Sequence, residues 1–228
     1  VSGGARAVVA ELVGTALLLL AVVGSGIVAS SSDTAVGALF PHAVVVGLAL
    51  AVIIRLLQPV SGAHLNPVVT LVDAALGGLA RRAVPGYLAA QLGGAVLGVV
   101  GANLLFGLPA ATVGTTDRGA ATLVASEVVA TFGLVLVILG LVRQGAVRTV
   151  APAVGAYVAA AIVLTPSTSF ANPAVTVARV LTDSYTGIAP DGVLPFVVAQ
   201  LGGGTAAAAL ARWLFTVPDL PAELRSTP

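Results

Sequence analysis

The chain has 228 residues, 58% of them hydrophobic and 8% charged, with a mean hydropathy of +1.09 and a formal charge of +1. That balance excludes an ordinary soluble domain, and it offers no basic surface for nucleic acid. The lack of cysteine excludes disulfides, thiolate metal sites and a cysteine nucleophile.

Residues 12–32, 34–54, 83–116, 149–178 and 192–211 carry no charge, and each is long enough to cross a hydrocarbon core of about 30 Å as a helix. Residues 128–142 extend into a further span once Glu127 is placed at a helix interface. Six spanning helices are expected. The start has no basic run followed by a small-residue cleavage site, so it does not read as a removable signal, and the first span is expected to direct insertion. All ten basic residues are arginine. Arg81 and Arg82 precede the third span, Arg143 and Arg148 bracket the next link but one, and Arg6 and Arg225 lie near the ends, whereas residues 30–34 hold none. The positive-inside bias places both termini in the cytoplasm and the protein in the cell membrane, the inner one in a bacterium.

The spans repeat. "AELVGT" at residues 10–15 parallels "SEVVAT" at 126–131, "SGAHLNPVVT" at 61–70 parallels "STSFANPAVTVAR" at 167–179, and "AQLGG" occurs at both 90–94 and 199–203. Three spans per half is odd, so the second half enters the bilayer from the opposite side. The result is one channel domain over 1–228, built from inverted repeats near 6–107 and 120–216.

In each repeat Asn suits a helix N-cap and Pro the first helical position, so Asn66-Pro67 and Asn172-Pro173 mark the starts of two half-helices. The segment 67–77 covers roughly 16 Å at 1.5 Å per residue, enough to reach the midplane and too little to cross it. Entering from opposite faces, the two meet end to end at mid-membrane. Their Asn amides are then free donors, the preceding non-helical backbone supplies carbonyl acceptors along a protein-enclosed path, and the helix termini repel cations. The fold class is all-α, with six transmembrane helices and two re-entrant half-helices around a pore for small neutral hydroxylated solutes.

With this order of motifs, "SGAHLNPVVT" and "FANPAVT" resemble the paired signature loops of the major intrinsic proteins, the aquaporin and glycerol-facilitator family. The resemblance implies a homotetramer in the lipid bilayer with a pore in every protomer, and no cofactor or metal. It implies pore-lining motifs at Asn66, Pro67 and Val68, where the family has Ala, and at Asn172, Pro173 and Ala174. Val68 adds two methyls near the centre, with a modest effect expected. The family's four-residue filter falls, by counting from the two motifs, on Val46, Ala160, Ser169 and Val175. Val175 stands where the family carries Arg, so the filter is expected to be wide and uncharged. That favours glycerol, trihydroxy metalloids such as As(OH)3, and water. The wording around the second motif is similar to a bacterial subgroup associated with arsenite efflux.

Glu11 and Glu127 read either as proton relays or, as their family counterparts imply, as braces accepting backbone N–H groups, and bracing is the expectation. His64 is a gate or, preferably, a hydrogen-bonded strut. Arg179, one turn beyond Val175, either bonds headgroups or loop carbonyls, the preferred reading, or adds a displaced charge at the mouth. Asp73 and Asp183 end the half-helices and are expected to be solvated or paired. The glycines 93, 94, 98 and 202–204 suit close helix packing within or between protomers. An enzyme is disfavoured by two lone histidines without a metal or nucleophile constellation. A mainly water-conducting channel and a coupled transporter remain alternatives; coupling requires a titrating midplane group, where this chain places two amides.

Overall fold

A computed structural model describes residues 4–215, so Arg225 and the last residue of the second repeat lie outside it. Among the described residues six helices are long and apolar enough to cross a membrane: α1 (Ala5–Ala29), α2 (Ala35–Ser61), α4 (Val84–Leu105), α5 (Ala121–Arg143), α6 (Val150–Leu164) and α8 (Val193–Leu214), with α4, α6 and α8 each lengthened by a leading 3-10 turn from Arg81, Val147 and Pro190. Two short ones, α3 (Pro67–Ala75) and α7 (Pro173–Ala178), lie between them. Among the described residues there is no strand. α3, with nine residues, rises about 14 Å at 1.5 Å per residue, half of a hydrocarbon core.

The packing follows the repeat. α1 lies on α4 as α5 lies on α8, α1 meets α2 as α5 meets α6, and α2 and α6 join the halves. Each half-helix touches both α4 and α8, and α3 and α7 meet each other. Small residues permit the close crossings. A Cβ on Gly94 would collide with the Leu12 carbonyl of α1, and one on Gly203 with the Val128 carbonyl of α5. These glycines therefore pack within the protomer, whereas Gly93 and Gly202 face open space. Large apolar residues such as Leu48, Val52 and Leu56 stand exposed on α2, the normal outer face of a bundle in lipid.

The half-helices start as the Asn-Pro spelling dictates. Asn66 Oδ1 accepts from Val68 N at 2.9 Å, and Asn172 Oδ1 accepts from Ala174 N at 3.0 Å and Val175 N at 3.3 Å. The end of the bundle where α1, α4 and α6 finish is closed over by residues 106–120, whose Thr112 and Gly114 amides bond the Leu181 and Val180 carbonyls. Asp183 is tied there too. It accepts from Thr115 N and Oγ1 at 2.9 and 2.8 Å, and these bonds hold its carboxyl below the usual range.

Candidate functional site

The backbone leading into each half-helix is strained in matching places. Ala63, Leu65, Thr168, Ser169 and Ala171 all adopt left-handed conformations, with φ between 48° and 62°. Each such non-glycine residue costs about 1–2 kcal/mol, so something must impose the geometry. A buried glutamate does so in each half. Glu11 Oε1 accepts from Ser61 Oγ at 2.6 Å and His64 N at 2.9 Å, while its Oε2 accepts from Leu65 N at 2.7 Å and Gln91 Nε2 at 2.8 Å. Glu127 repeats the pattern with Ser167 Oγ, Phe170 N, Ala171 N and Gln200 Nε2, all between 2.6 and 2.9 Å. Both carboxylates are fully buried and saturated by donors, the arrangement of a brace.

The two loops also hold each other. Asn66 Nδ2 donates to the Ala171 carbonyl and Asn172 Nδ2 to the Leu65 carbonyl, each at 2.7 Å. The amides are thus not wholly free, as the sequence suggested. One N–H of each is spent on the opposite repeat and one remains. The carbonyls of Gly62, Ala63 and His64, and of Thr168, Ser169 and Phe170, accept nothing from the described residues. All six residues border one cavity. Unpaired carbonyls at this depth are free to accept from a solute.

That cavity, of about 380 Å³, runs from His42 and Arg179 near the 106–120 loop, past Asn66 and Asn172, to Asp73 and Val147 at the other end. Val46, Ser169 and Val175 line it. Ala160 does not. It lies exposed on the outer side of α6, while Val150, Val154, Val158 and Ile162 carry the inward face at four-residue spacing. Val158 and Ile162 border the cavity in its place, because residue 160 is turned about 200° from residue 158 at 3.6 residues per turn. Val68 also departs from expectation. Its side chain is buried away from the cavity, against α8, where a Cβ on Gly204 would overlap Val68 Cγ1. Its extra methyls fill the notch that Gly204 leaves, and neither Pro67, Val68, Pro173 nor Ala174 borders the cavity.

His64 is held as a strut, with Nδ1 3.2 Å from Thr70 Oγ1 and Nε2 3.4 Å from Asp73 Oδ2, and its side chain borders the cavity. Arg179 is buried. Its Nε donates to the Thr186 carbonyl and its Cζ lies 3.4 Å from the Phe170 ring centre, so it bonds a loop carbonyl and borders the cavity at once. Two residues that sequence reasoning missed complete this end. His42 lines the cavity four residues before Val46, a spacing that already marked it as same-face. Arg118 enters from the 106–120 loop and bonds the Ser167, Tyr185 and Gly187 carbonyls, for which no sequence signal existed. Among the described residues no cluster of three metal-ligating side chains occurs.

A family model described as Major intrinsic protein matches residues 2–166. The chain belongs to the major intrinsic protein family. Its relatives include "Aquaglyceroporin AqpS" of Rhizobium meliloti (strain 1021), 44% identical over 226 residues that cover 98% of this chain and 95% of that one. "Aquaporin NIP1-3" of Oryza sativa subsp. japonica is 36% identical over 192 residues, covering 81% of this chain and 66% of the rice protein. The X-ray structure of the aquaglyceroporin from Plasmodium falciparum shares the fold, with a TM-score of 0.72 at 21% identity over 93% of this chain and 96% of that one. As a major intrinsic protein the chain is an integral membrane channel that passes small neutral solutes passively, and it is not an enzyme.

Proposed function

We propose that this channel conducts small polyhydroxylated solutes, glycerol and trihydroxy metalloids such as As(OH)3, together with water, through a wide apolar filter. The observation that carries the reading is the lining itself: Val46 and Val175, with Val158 and Ile162 from α6, border the cavity, and none of these valine or isoleucine side chains is charged. Guanidinium at Val175 would add both bulk and a fixed charge; valine adds neither. The name aquaglyceroporin carried by the rhizobial relative supports glycerol and water as cargo. The unpaired carbonyls and the remaining amide hydrogens of Asn66 and Asn172 suit a solute that donates and accepts along its path.

In this reading the protein is a single channel domain over 1–228 in a bacterial inner membrane, with both termini and the Arg143–Arg148 link in the cytoplasm. It is a homotetramer with one pore per protomer, and the open faces at Gly93 and Gly202 leave room for a neighbouring helix.

Stopped-flow light scattering on proteoliposomes tests the substrate range by comparing water, glycerol and As(OH)3 for the parent and for Val175→Arg. The parent is expected to pass all three, and the Arg variant to keep water while losing the larger solutes. A parent that passes only water, or nothing above protein-free liposomes, overturns the wide-filter reading.

A further inference from the structure

One helical turn beyond the valine level, toward the 106–120 loop, the cavity wall changes character. Val46 is succeeded by His42 four residues earlier on α2, and Val175 by Arg179 four residues later at the end of α7. Each step is one turn, about 6 Å along its helix. The two side chains flank the same dipeptide, since the His42 ring stands 5.9 Å edge-on from the Tyr185 ring and Arg179 Nε bonds the Thr186 carbonyl.

Their free atoms are complementary. Arg179 is 3% exposed, borders the cavity, and its Nη2 has no protein partner. A guanidinium N–H can only donate. At His42, Nδ1 lies 2.7 Å from Ser25 Oγ, and that hydroxyl lies 2.6 Å from the Ala21 carbonyl. The hydroxyl's single hydrogen goes to the carbonyl, so Ser25 accepts from Nδ1–H and the ring's Nε2 is left as an acceptor. Nε2 has no partner among the described residues. A buried donor without a partner is costly unless something passing by completes it.

We propose that Arg179 Nη2 and His42 Nε2 form a second, polar station one turn outside the valine filter, where a hydroxyl of a passing neutral solute accepts from the first and donates to the second. Discrimination between hydroxylated and other neutral solutes is made there, and the valine level sets only width. The proposal rests on the cavity being the conducting path. Phe170 lies against the Arg179 guanidinium, and Arg118, with three donors on carbonyls, supports the loop and does not border the cavity.

The test is the concentration dependence of glycerol flux in proteoliposomes for the parent, Arg179→Met and His42→Phe, with water flux measured on the same vesicles. His42→Phe keeps a ring against Tyr185 while removing the Nε2 acceptor and the Nδ1 bond to Ser25, and it leaves Arg179 in place, so it remains informative if Arg179→Met assembles poorly. The expected result is saturable glycerol flux in the parent and a half-saturation concentration raised about tenfold in His42→Phe, the worth of one hydrogen bond, in vesicles that still pass water faster than lipid alone. Unchanged half-saturation in a variant that conducts water normally overturns the station and leaves the channel standing. Parent vesicles no more permeable than lipid alone overturn the conducting path itself, and the station with it.

Discussion

Val68 and Gly204 form a matched pair, and their exchange for two alanines gives a quantitative check on where Val68 points. Val68 is buried against α8, in a space open only because residue 204 has no side chain. The repeat-related positions are Ala174 and Ala95, both buried, so the two equivalent crossings divide the same volume differently. Val68→Ala removes two methyls and leaves a small cavity, a loss of about 2 kcal/mol from roughly 0.8 kcal/mol per group plus the cavity term. Gly204→Ala drives a Cβ into Val68 Cγ1 and costs about 2 kcal/mol by overpacking. The double variant reproduces the Ala–Ala combination of the repeat-related positions and should return to within about 1 kcal/mol of the parent, a coupling of about −3 kcal/mol. Thermal unfolding in detergent, followed by circular dichroism, reads this directly. Each single variant should melt roughly 4–8 °C lower, and the double variant near the parent. Water flux through Val68→Ala should not change, because Val68 does not border the cavity. Additive melting shifts, or faster water flux in Val68→Ala, would refute the reasoning.

Tryptophan at Ala160 and at Val158 separates the two sides of α6. Ala160→Trp should leave glycerol flux at the parent level, whereas Val158→Trp should reduce it by about tenfold or more by filling the passage; equal effects would contradict the assigned face. Glu127→Gln keeps the brace's shape but replaces an oxygen that accepts from Ala171 N and Gln200 Nε2, or from Ser167 Oγ and Phe170 N, with a donor. The cost should be roughly 3 kcal/mol or more, seen as a lowered melting temperature and lost flux, and Glu11→Gln should behave alike. A Glu127→Gln protein that melts with the parent would remove the brace from the account.

The architecture was legible because the repeat spells it twice: Glu11 with Gln91, Glu127 with Gln200, and two Asn-Pro starts cannot be read independently of one another. Counting along the chain led to a cavity-lining residue at Val46, since α2 runs unbroken to Ser61 and only residues 62–65 separate it from Asn66. It failed at Ala160. There α6 stops at Leu164, and seven residues, 165–171, intervene, three of them left-handed, so helical phase is lost before Asn172 is reached. The valines at 150, 154 and 158 on α6 itself were the better guide. Val68 could not be oriented without knowing that Gly204 faces it, and Arg118 reaches its three carbonyls from a loop whose path is set by tertiary contacts.

The reciprocal bonds between Asn66 and Ala171 and between Asn172 and Leu65 have a consequence for biogenesis. The carbonyl that Asn66 needs lies 105 residues downstream. At about 5–20 residues per second a ribosome takes roughly 5–20 seconds to supply it. Throughout that interval the first re-entrant segment has no partner at its tip, and lipid offers none. The midpoint therefore cannot close until the second repeat's loop has been made, and a chain arrested after its first three spans holds only the first repeat's helices around an unfinished centre.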